Sequence, residues 1–261
     1  MSPSWITPEW PVPVTVRALS TLRHGGASAA PYASLNLGDH VGDLGKSVAE
    51  NRRRLAAAAG LPAEPRWLAQ VHGTTVIDLD ASGLVDAAAL DAPADTPRSL
   101  GPADACFARL PRRVCAILTA DCLPILLAAD SGDLVAAAHA GWRGLAGGVI
   151  EALVAALPVA RPKLMAWLGP AIGPKHFEVG AEVREALLRN DAGALAAFTP
   201  NARGRFLADL GMLARRRLAA LGIDRVFGGG RCTYTDNDRH FSHRRDGVTG
   251  RQATLIWLEL P

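Results

Sequence analysis

Short apolar runs alternate with polar, glycine-containing turns along most of this chain, and that pattern predicts a fold rich in short strands. Val, Ile and Leu dominate these runs, and each run is bounded by turn-forming residues, as is typical of strands. Strands are therefore predicted over residues 14–21, 67–79, 114–119, 124–129, 134–138, 164–168, 226–227 and 254–258.

Other segments repeat apolar residues every three to four positions, which predicts helices over residues 47–59, 145–157, 179–189 and 206–221. Ser47 is the expected N-cap of the first, Glu50 its capping-box partner, and Gly60 its terminator. Strands and helices do not alternate strictly, so the pattern favours an α+β fold over a doubly wound sheet.

Length and composition indicate one large or internally duplicated globular domain spanning residues 1–261, with 1–13 as an extended N-terminal segment. The segment 81–101 is rich in Ala, Asp and Pro and is expected to be a surface excursion. Hydrophobic residues make up 49% and charged residues 20%, which is sufficient for a sizeable core.

Charge and hydropathy exclude several classes of function. A net charge of +3 with 5% aromatic residues argues against nucleic-acid binding. No apolar run approaches the ~20 residues that cross a bilayer, and residues 1–13 show no secretory pattern, so we expect a cytoplasmic protein without a membrane partner. Four widely spaced cysteines are better interpreted as buried residues or metal ligands than as disulfides.

Two polar interruptions at strand ends are the first candidates for chemistry. Asp121 and Cys122 separate the apolar runs 114–120 and 123–129, and His139 follows the run 134–138. A strand, a turn and a returning strand would bring both points to one edge of a sheet. Thiolate and imidazole together suit zinc or copper. The alternative, equally compatible with this spacing, is a buried Cys that packs as a small apolar residue beside a hydrogen-bonded His.

Three segments then indicate a family: residues 70–73 (QVHG), 119–124 (TADCLP) and 139–144 (HAGWRG). They resemble the signature segments of the YfiH/laccase-domain family, also called the multicopper polyphenol oxidase-like or peptidoglycan editing factor family. Further resemblances, in the same order along the chain, lie at residues 23–26, 32–38, 50–52, 169–173, 177–180, 232–233 and 241–246.

This resemblance implies a single-domain, four-layer α/β/β/α sandwich with mixed sheets. It implies that His72, Cys122 and His139 are metal ligands, usually for zinc. It also implies phosphorolysis of adenosine, inosine, guanosine and methylthioadenosine, together with adenosine deaminase activity, so that purine nucleosides and phosphate are the expected partners. Three protein ligands leave a fourth position open, which is typical of catalytic zinc.

Several other residues are candidates around that centre. Arg143, at a glycine-flanked helix start, is a candidate for phosphate binding and catalysis, and Asp121 is a candidate partner of a ligand or general acid/base. A surface arginine and a turn cap are the alternatives for these two. Candidate substrate-binding residues, each with a structural alternative within its own loop or strand end, are Gln70, Asn36, His40, Arg52 and Arg23.

Three other functions stay open at this point. A copper polyphenol oxidase would normally use an axial Met, and none of Met1, Met165 and Met212 lies beside the ligand segments. A hydrolase of peptidoglycan precursors would use Cys122 as nucleophile rather than as ligand. A non-enzymatic binding module fits poorly with so many polar residues in glycine-rich loops. For assembly, we expect a monomer or weak homodimer.

Overall fold

The computed structural model describes residues 2–81 and 100–260, and these residues form fifteen strands and six α-helices. The strands are β1 (Trp5–Ile6), β2 (Val16–Thr21), β3 (Leu68–Ala69), β4 (Val76–Asp78), β5 (Leu100–Pro102), β6 (Ala105–Ala108), β7 (Val114–Thr119), β8 (Leu123–Ala129), β9 (Val135–Ala140), β10 (Leu164–Leu168), β11 (Glu178–Val179), β12 (Phe198–Pro200), β13 (Phe206–Ala208), β14 (Val226–Gly228) and β15 (Gln252–Leu258). The helices are α1 (Gly45–Ala59), α2 (Trp142–Gly147), α3 (Val149–Ala156), α4 (Ala181–Leu188), α5 (Leu210–Ala220) and α6 (His243–Asp246), with 3-10 turns at Arg161–Lys163 and Ala192–Ala197.

Two main sheets organise the chain. The first has the antiparallel order β1-β2-β15-β7, and the second has the order β14-β10-β8-β9-β6-β4, in which the pairs β10–β14 and β4–β6 are parallel and the others antiparallel. Smaller sheets pair β11-β13-β12 and β3-β5. The second sheet is therefore mixed, as expected.

Apolar packing between the elements shows the order of the layers. One buried cluster joins α1 to the first sheet, for example Leu55 with Leu255. A second lies between the two sheets, where Ile117 and Leu126 belong to the same cluster. A third joins the second sheet to α2, α3, α4 and α5. The layers are thus helix, sheet, sheet and helices, which confirms the α/β/β/α sandwich.

Strand β8 shows why the sequence folds in this way. All seven of its residues are buried. Leu126 and Ala128 face the other sheet, whereas Ile125 and Leu127 face the helical layer. A strand covered on both faces reads as an unbroken apolar run rather than an alternating one, which is why 124–129 was recognisable in the sequence.

The first helix begins earlier than predicted. It starts at Gly45 after Leu44, and Ser47 does not cap it, so the predicted capping box is wrong. Glu50 instead pairs with Arg53 and Arg54 on the helix surface. The predicted terminator is confirmed: Gly60 adopts the left-handed conformation with φ of 59°.

Other predicted boundaries also change. The helix predicted over 145–157 is two helices, because Gly148 has φ of 93° and breaks it between α2 and α3. The helix predicted over 206–221 begins with strand β13, and α5 starts only after Asp209, whose side chain accepts a hydrogen bond from Met212 N at 2.9 Å. The strand predicted over 67–79 is two short strands, β3 and β4, joined by a loop.

Three remaining segments complete the description. Within the N-terminal segment, β1 pairs with β2 and forms one edge of the first sheet, with Trp5 opposite Thr21. Most of the surface excursion predicted for 81–101 lies outside the described residues. Among the described residues, no helix has both the length and the apolar character that crossing a membrane requires.

Candidate metal centre

Three side chains predicted as ligands meet at one end of the second sheet. β8 and β9 pair antiparallel with Leu123 opposite Ala140, so Cys122, just before β8, lies beside the end of β9. His72 reaches the same place from the loop between β3 and β4. One donor atom from each of His72, Cys122 and His139 lies within 4.8 Å of the other two.

The geometry within this group is close. Cys122 Sγ lies 3.8 Å from His72 Nε2, and the rings of His72 and His139 meet edge to face with centroids 4.7 Å apart. His139 is buried, Cys122 is partly buried and His72 is exposed. The group is therefore anchored in the sheet on one side and open to solvent on the other.

Asp104 holds two of the three donors in place. Its Oδ1 lies 2.8 Å from His139 Nδ1 and also accepts a hydrogen bond from the backbone N–H of His72 at 3.0 Å. Because Nδ1 of His139 is engaged, Nε2 is the nitrogen left to face the group. A carboxylate that fixes the ring and tautomer of a metal-binding histidine is a common arrangement around protein metal sites.

The loop that carries His72 is itself wrapped around that carboxylate. His72 has φ of 61°, a left-handed conformation that residues other than glycine rarely adopt. The N–H groups of Val71 and Gly73 both donate to Asp104 Oδ2, at 3.2 and 2.6 Å. With the N–H of His72, three consecutive backbone donors converge on one buried anion, which compensates the strained backbone.

A glycine allows the donors to come together. A Cβ on Gly141 would lie 2.9 Å from Cys122 Sγ and 3.0 Å from His72 Cδ2. Both distances are shorter than normal contacts, so a side chain at this position would push two donors apart. The glycine of the HAGWRG segment is therefore required by the close approach of these side chains.

The electrostatics favour a charged thiolate. Burial raises the pKa of Cys122, but the neighbouring His139 and His72 outweigh it and lower the pKa to about 6. Burial lowers the pKa of His139, but the Cys122 thiolate and the hydrogen bond to Asp104 raise it to about 9. Near neutral pH the pair is thiolate and imidazolium, and thiolate is the form that binds metal ions.

Asp121 does not contact a donor of the group, contrary to one of its predicted roles. Its Oδ1 accepts a hydrogen bond from Thr233 Oγ1 and its Oδ2 from the backbone N–H of Arg244, both at 2.7 Å. The residue that orients His139 is Asp104 instead. With both oxygens engaged, Asp121 holds the segments that contain Thr233 and Arg244 beside the group. Its role as a general acid/base stays a prediction.

Three predicted substrate-binding residues make contacts that stabilise a loop or a strand end. Gln70 exchanges two hydrogen bonds with the backbone of Leu118, at 2.8 and 2.7 Å, and so pairs with the end of β7. Asn36 is buried and bonds both the N–H and the C=O of Gly38 at 3.0 Å. His40 is exposed beside Asp39. These contacts correspond to the structural alternatives for each residue.

The predicted arginines are also engaged elsewhere. Arg52 is buried, donates to Leu37 O and lies over the Trp67 ring. Arg23 donates to Ala33 O and lies over Phe241. Arg143 is exposed and lies over the ring of its neighbour Trp142. Sequence pattern alone does not distinguish such structural arginines from anion-binding ones, and their substrate contacts stay predictions.

Two residues near the group escaped the sequence analysis. Asp104 stands just before β6, thirty-two residues after His72, and nothing in that spacing marks it. Arg251 immediately precedes β15, and Cys122 and Asp121 both act electrostatically on its guanidinium. The only sequence signal for these two residues was their charge at a position directly before a predicted or buried strand, the same kind of position that Cys122 occupies.

The chain is similar to known proteins over almost its whole length. Residues 17–259 match a family described as multi-copper polyphenol oxidoreductase laccase. A protein named purine nucleoside phosphorylase YfiH from Escherichia coli is 50% identical, covering 97% of this chain and 98% of its own. A purine nucleoside phosphorylase from Pseudomonas aeruginosa is 51% identical, with 98% and 99% covered.

Solved structures show the same similarity in three dimensions. A crystal structure of a Neisseria meningitidis protein superposes with a TM-score of 0.88 at 44% identity and covers 98% of this chain and 99% of that one. A Bacillus licheniformis hypothetical protein YfiH superposes with a TM-score of 0.84 at 29% identity, with 94% and 93% covered. The fold described above is therefore the fold of these proteins.

Proposed function

Because the chain belongs to the multi-copper polyphenol oxidoreductase laccase family, and close relatives are named purine nucleoside phosphorylases, we propose that it is a zinc-dependent purine nucleoside phosphorylase. Its substrates would be phosphate and adenosine, inosine, guanosine or methylthioadenosine. The observation that carries the proposal is the convergence of His72, Cys122 and His139 at a solvent-open sheet end.

The donor set fits zinc. One thiolate and two imidazoles are typical zinc ligands, and three protein donors leave a position for substrate. Copper in a blue-copper site would use a similar set with a weak axial Met. Among the described residues, Met165 is buried in β10 opposite Ala128, at the end of β8 that is far from Cys122, and Met212 is exposed on α5. Zinc, when bound, would supply a Lewis acid that polarises a substrate oxygen.

The residues of the chain have separate tasks in this proposal. Cys122, charged near neutral pH, and His139 would hold the metal against the rigid sheet. Asp104 would keep His139 in the tautomer with Nε2 free. His72, on the exposed side, would hold the metal at the mouth of the site, where the nucleoside enters.

The proposal is tested by incubating purified protein with inosine and orthophosphate. We expect hypoxanthine and ribose 1-phosphate in equal amounts, measured by chromatography, and one zinc ion per chain by elemental analysis. Cys122→Ser should abolish both the activity and the zinc. Cys232→Ser is the matched control, because its thiol accepts a hydrogen bond from Gly173 N rather than joining the group. Absence of base release by the zinc-loaded protein would refute the proposal.

The family resemblance also supports adenosine deamination as a second activity of the same centre. Water, rather than phosphate, would then be the co-substrate, and adenosine would give inosine and ammonia. The test is to supply adenosine without phosphate and to measure ammonia. If ammonia appears equally with Cys122→Ser, the deaminase does not reside in this group and this second activity is refuted.

One observation favours a different class of activity, a cysteine hydrolase of the kind assigned to peptidoglycan editing. Cys122, His139 and Asp104 form a thiolate–imidazolium pair whose histidine is oriented by a carboxylate. A thiolate bound to zinc cannot serve at the same time as nucleophile. Rapid alkylation of Cys122 by iodoacetamide in protein as purified, with no metal present by elemental analysis, would favour the hydrolase over the phosphorylase.

A copper polyphenol oxidase, a function suggested by the family description, is tested with the same material. It requires a blue charge-transfer absorption after copper loading and oxygen consumption with a phenol. We also propose a cytoplasmic location, supported by the four free thiols Cys106, Cys115, Cys122 and Cys232. The monomer or weak homodimer stays a prediction for light scattering.

A further inference from the structure

Phosphorolysis needs a second binding element besides the metal group, because orthophosphate is a divalent anion that must lie against the nucleoside. The three arginines predicted from the sequence, Arg52, Arg23 and Arg143, are already engaged or exposed, as described above. Arg244 and Arg245 are anchored too, through Glu178 O and the backbone oxygens of Thr233 and Tyr234. In the described part of the chain, a further arginine, Arg251, lies near the group.

We propose that Arg251 binds the phosphate co-substrate beside His72, Cys122 and His139, a role that rests on the phosphorylase function proposed above. The first support is position. β15 pairs antiparallel with β7 with Gln252 opposite Thr119, so Arg251 stands across from residue 120, two positions before Cys122. The end of β7 and the start of β15 thus place a thiol and a guanidinium at the same edge.

The second support is how firmly this side chain is held. The backbone N–H of Arg251 donates to Asn36 Oδ1 at 2.8 Å. Its Nη1 donates to Thr249 O at 3.1 Å and to Gly250 O at 3.0 Å. A Cβ on Gly38 would lie 2.8 Å from its Cγ, so the glycine loop passes directly over the stem. A pre-positioned guanidinium loses little entropy when it binds an anion.

The third support is what the guanidinium lacks. Within residues 2–81 and 100–260, Nε and Nη2 of Arg251 donate to no group, and no carboxylate lies within ion-pair distance of it. The residue is partly exposed, so these donors can reach a ligand. Burial lowers the pKa of Arg251, and the negative charges of Cys122 and Asp121 oppose that shift. An unpaired cation with two free donors is suited to a phosphate oxygen pair.

The chemistry balances with this assignment. An oxygen of hydrogen phosphate forms a bond to C1′ of the nucleoside while the bond from C1′ to N9 breaks and its electron pair goes to the purine. The proton of hydrogen phosphate ends on the leaving base, and ribose 1-phosphate remains. Arg251 would hold the attacking phosphate through the oxygens that do not react, which is a positioning and charge-stabilising role.

The test compares Arg251→Gln and Arg251→Lys with the parent protein. We expect Arg251→Gln to raise KM for phosphate and the dissociation constant for orthophosphate about 10- to 100-fold, the loss of hydrogen bonds to a charged group. KM for inosine and the zinc content should change little. Arg251→Lys keeps the charge and should lose less. Arg225→Gln is the matched control, because Arg225 pairs with Asp130 on the surface.

Direct binding of orthophosphate, measured by calorimetry, separates this inference from the phosphorylase function. If the parent binds orthophosphate and Arg251→Gln does not, but neither releases base from inosine, then the phosphorylase proposal fails and the anion site stands. If the parent releases base and Arg251→Gln keeps its KM for phosphate, the inference is overturned. It is also overturned if the parent does not bind orthophosphate, or if Arg143→Gln alone impairs phosphate use.

Discussion

Replacing Asp104 with Asn tests whether this carboxylate orients the donors His139 and His72 of the candidate metal centre. Asp104 accepts hydrogen bonds from four donors at 2.6 to 3.2 Å: His139 Nδ1 and the N–H groups of Val71, His72 and Gly73. Asn has nearly the same shape but only one acceptor oxygen. Its NH₂ must therefore face either the His139 and His72 donors or the Val71 and Gly73 donors.

Both orientations have a cost that can be worked out. Two hydrogen bonds to a buried charged group are lost, each worth about 1.5–3 kcal/mol, so the free energy of unfolding should fall by about 3–6 kcal/mol. If the NH₂ faces His139, Nδ1 must accept, the proton moves to Nε2, and the ring cannot donate to a metal. If it faces Val71 and Gly73, the left-handed His72 loses its support.

The free energy of zinc binding should decrease by less than the free energy of unfolding, because most of the lost interaction energy destabilises the metal-free and metal-bound proteins alike. Changes in residues that orient a ligand typically cost 10- to 100-fold in metal affinity, or about 1.4–2.7 kcal/mol. The measurement is competitive zinc titration with a chromophoric chelator, alongside urea unfolding of the metal-free protein.

Asp121→Asn provides the matched control. Asp121 is adjacent to Cys122 in the sequence, but its oxygens bond Thr233 and Arg244 rather than a donor of the group. We expect this variant to lose stability and to retain more zinc affinity than Asp104→Asn. Equal zinc affinity in Asp104→Asn and the parent, or an equal decrease in both variants, would show that Asp104 does not orient the donors.

Three further predictions concern protons and packing. Zinc binding at about pH 7.5 should release about one proton, from His139 with its pKa of about 9, and more protons should be released below about pH 6, where Cys122 becomes protonated. Calorimetry in buffers of different ionisation enthalpy measures the number of protons released, and a number that does not change with pH contradicts the prediction. Gly141→Ala should weaken zinc binding because its Cβ would lie 2.9 Å from Cys122 Sγ, whereas Gly230→Ala, with open space around it, should not. Equal zinc affinities of these two variants, measured by competitive titration, would refute the packing argument. His240 is fully buried, neither ring nitrogen is hydrogen-bonded within the described residues, and burial lowers its pKa to about 4. Because the unfolded chain takes up the proton first, the free energy of unfolding should fall by up to about 3 kcal/mol as pH falls from about 6.5 to 4. Urea unfolding of His240→Leu should show a smaller decrease, and an equal decrease would contradict this assignment.

Several elements were predictable because their signals are local. The strands at 114–119 and 164–168 were predicted with their observed limits, since each is a short apolar run that is buried along its whole length. Gly60 ends its helix for a reason that lies within one residue, its left-handed backbone. The strand–turn–strand pattern also predicted that Cys122 and His139 meet, because β8 and β9 are neighbours in sequence as well as in space.

Other predictions failed where distant partners decide the structure. Residues 206–208 have helical periodicity, yet they form β13 because they pair with β11 and β12. Gly148 breaks a long helical pattern with a φ of 93° that the pattern does not reveal. The arginines chosen from short motifs are mostly engaged with backbone oxygens of other loops, which spacing cannot show.

The pattern of the sequence by itself predicted an α+β fold, and the family resemblance added the four-layer sandwich and the three candidate donors His72, Cys122 and His139. Only the tertiary structure decided what surrounds them: Asp104 on His139, and Arg251 beside Cys122. The physical reason is separation along the chain. Periodicity and turn chemistry act between neighbouring residues. Asp104 meets His139 only when β6 pairs with β9, and Arg251 comes near Cys122 only when the two sheets pack and bring their strand ends together.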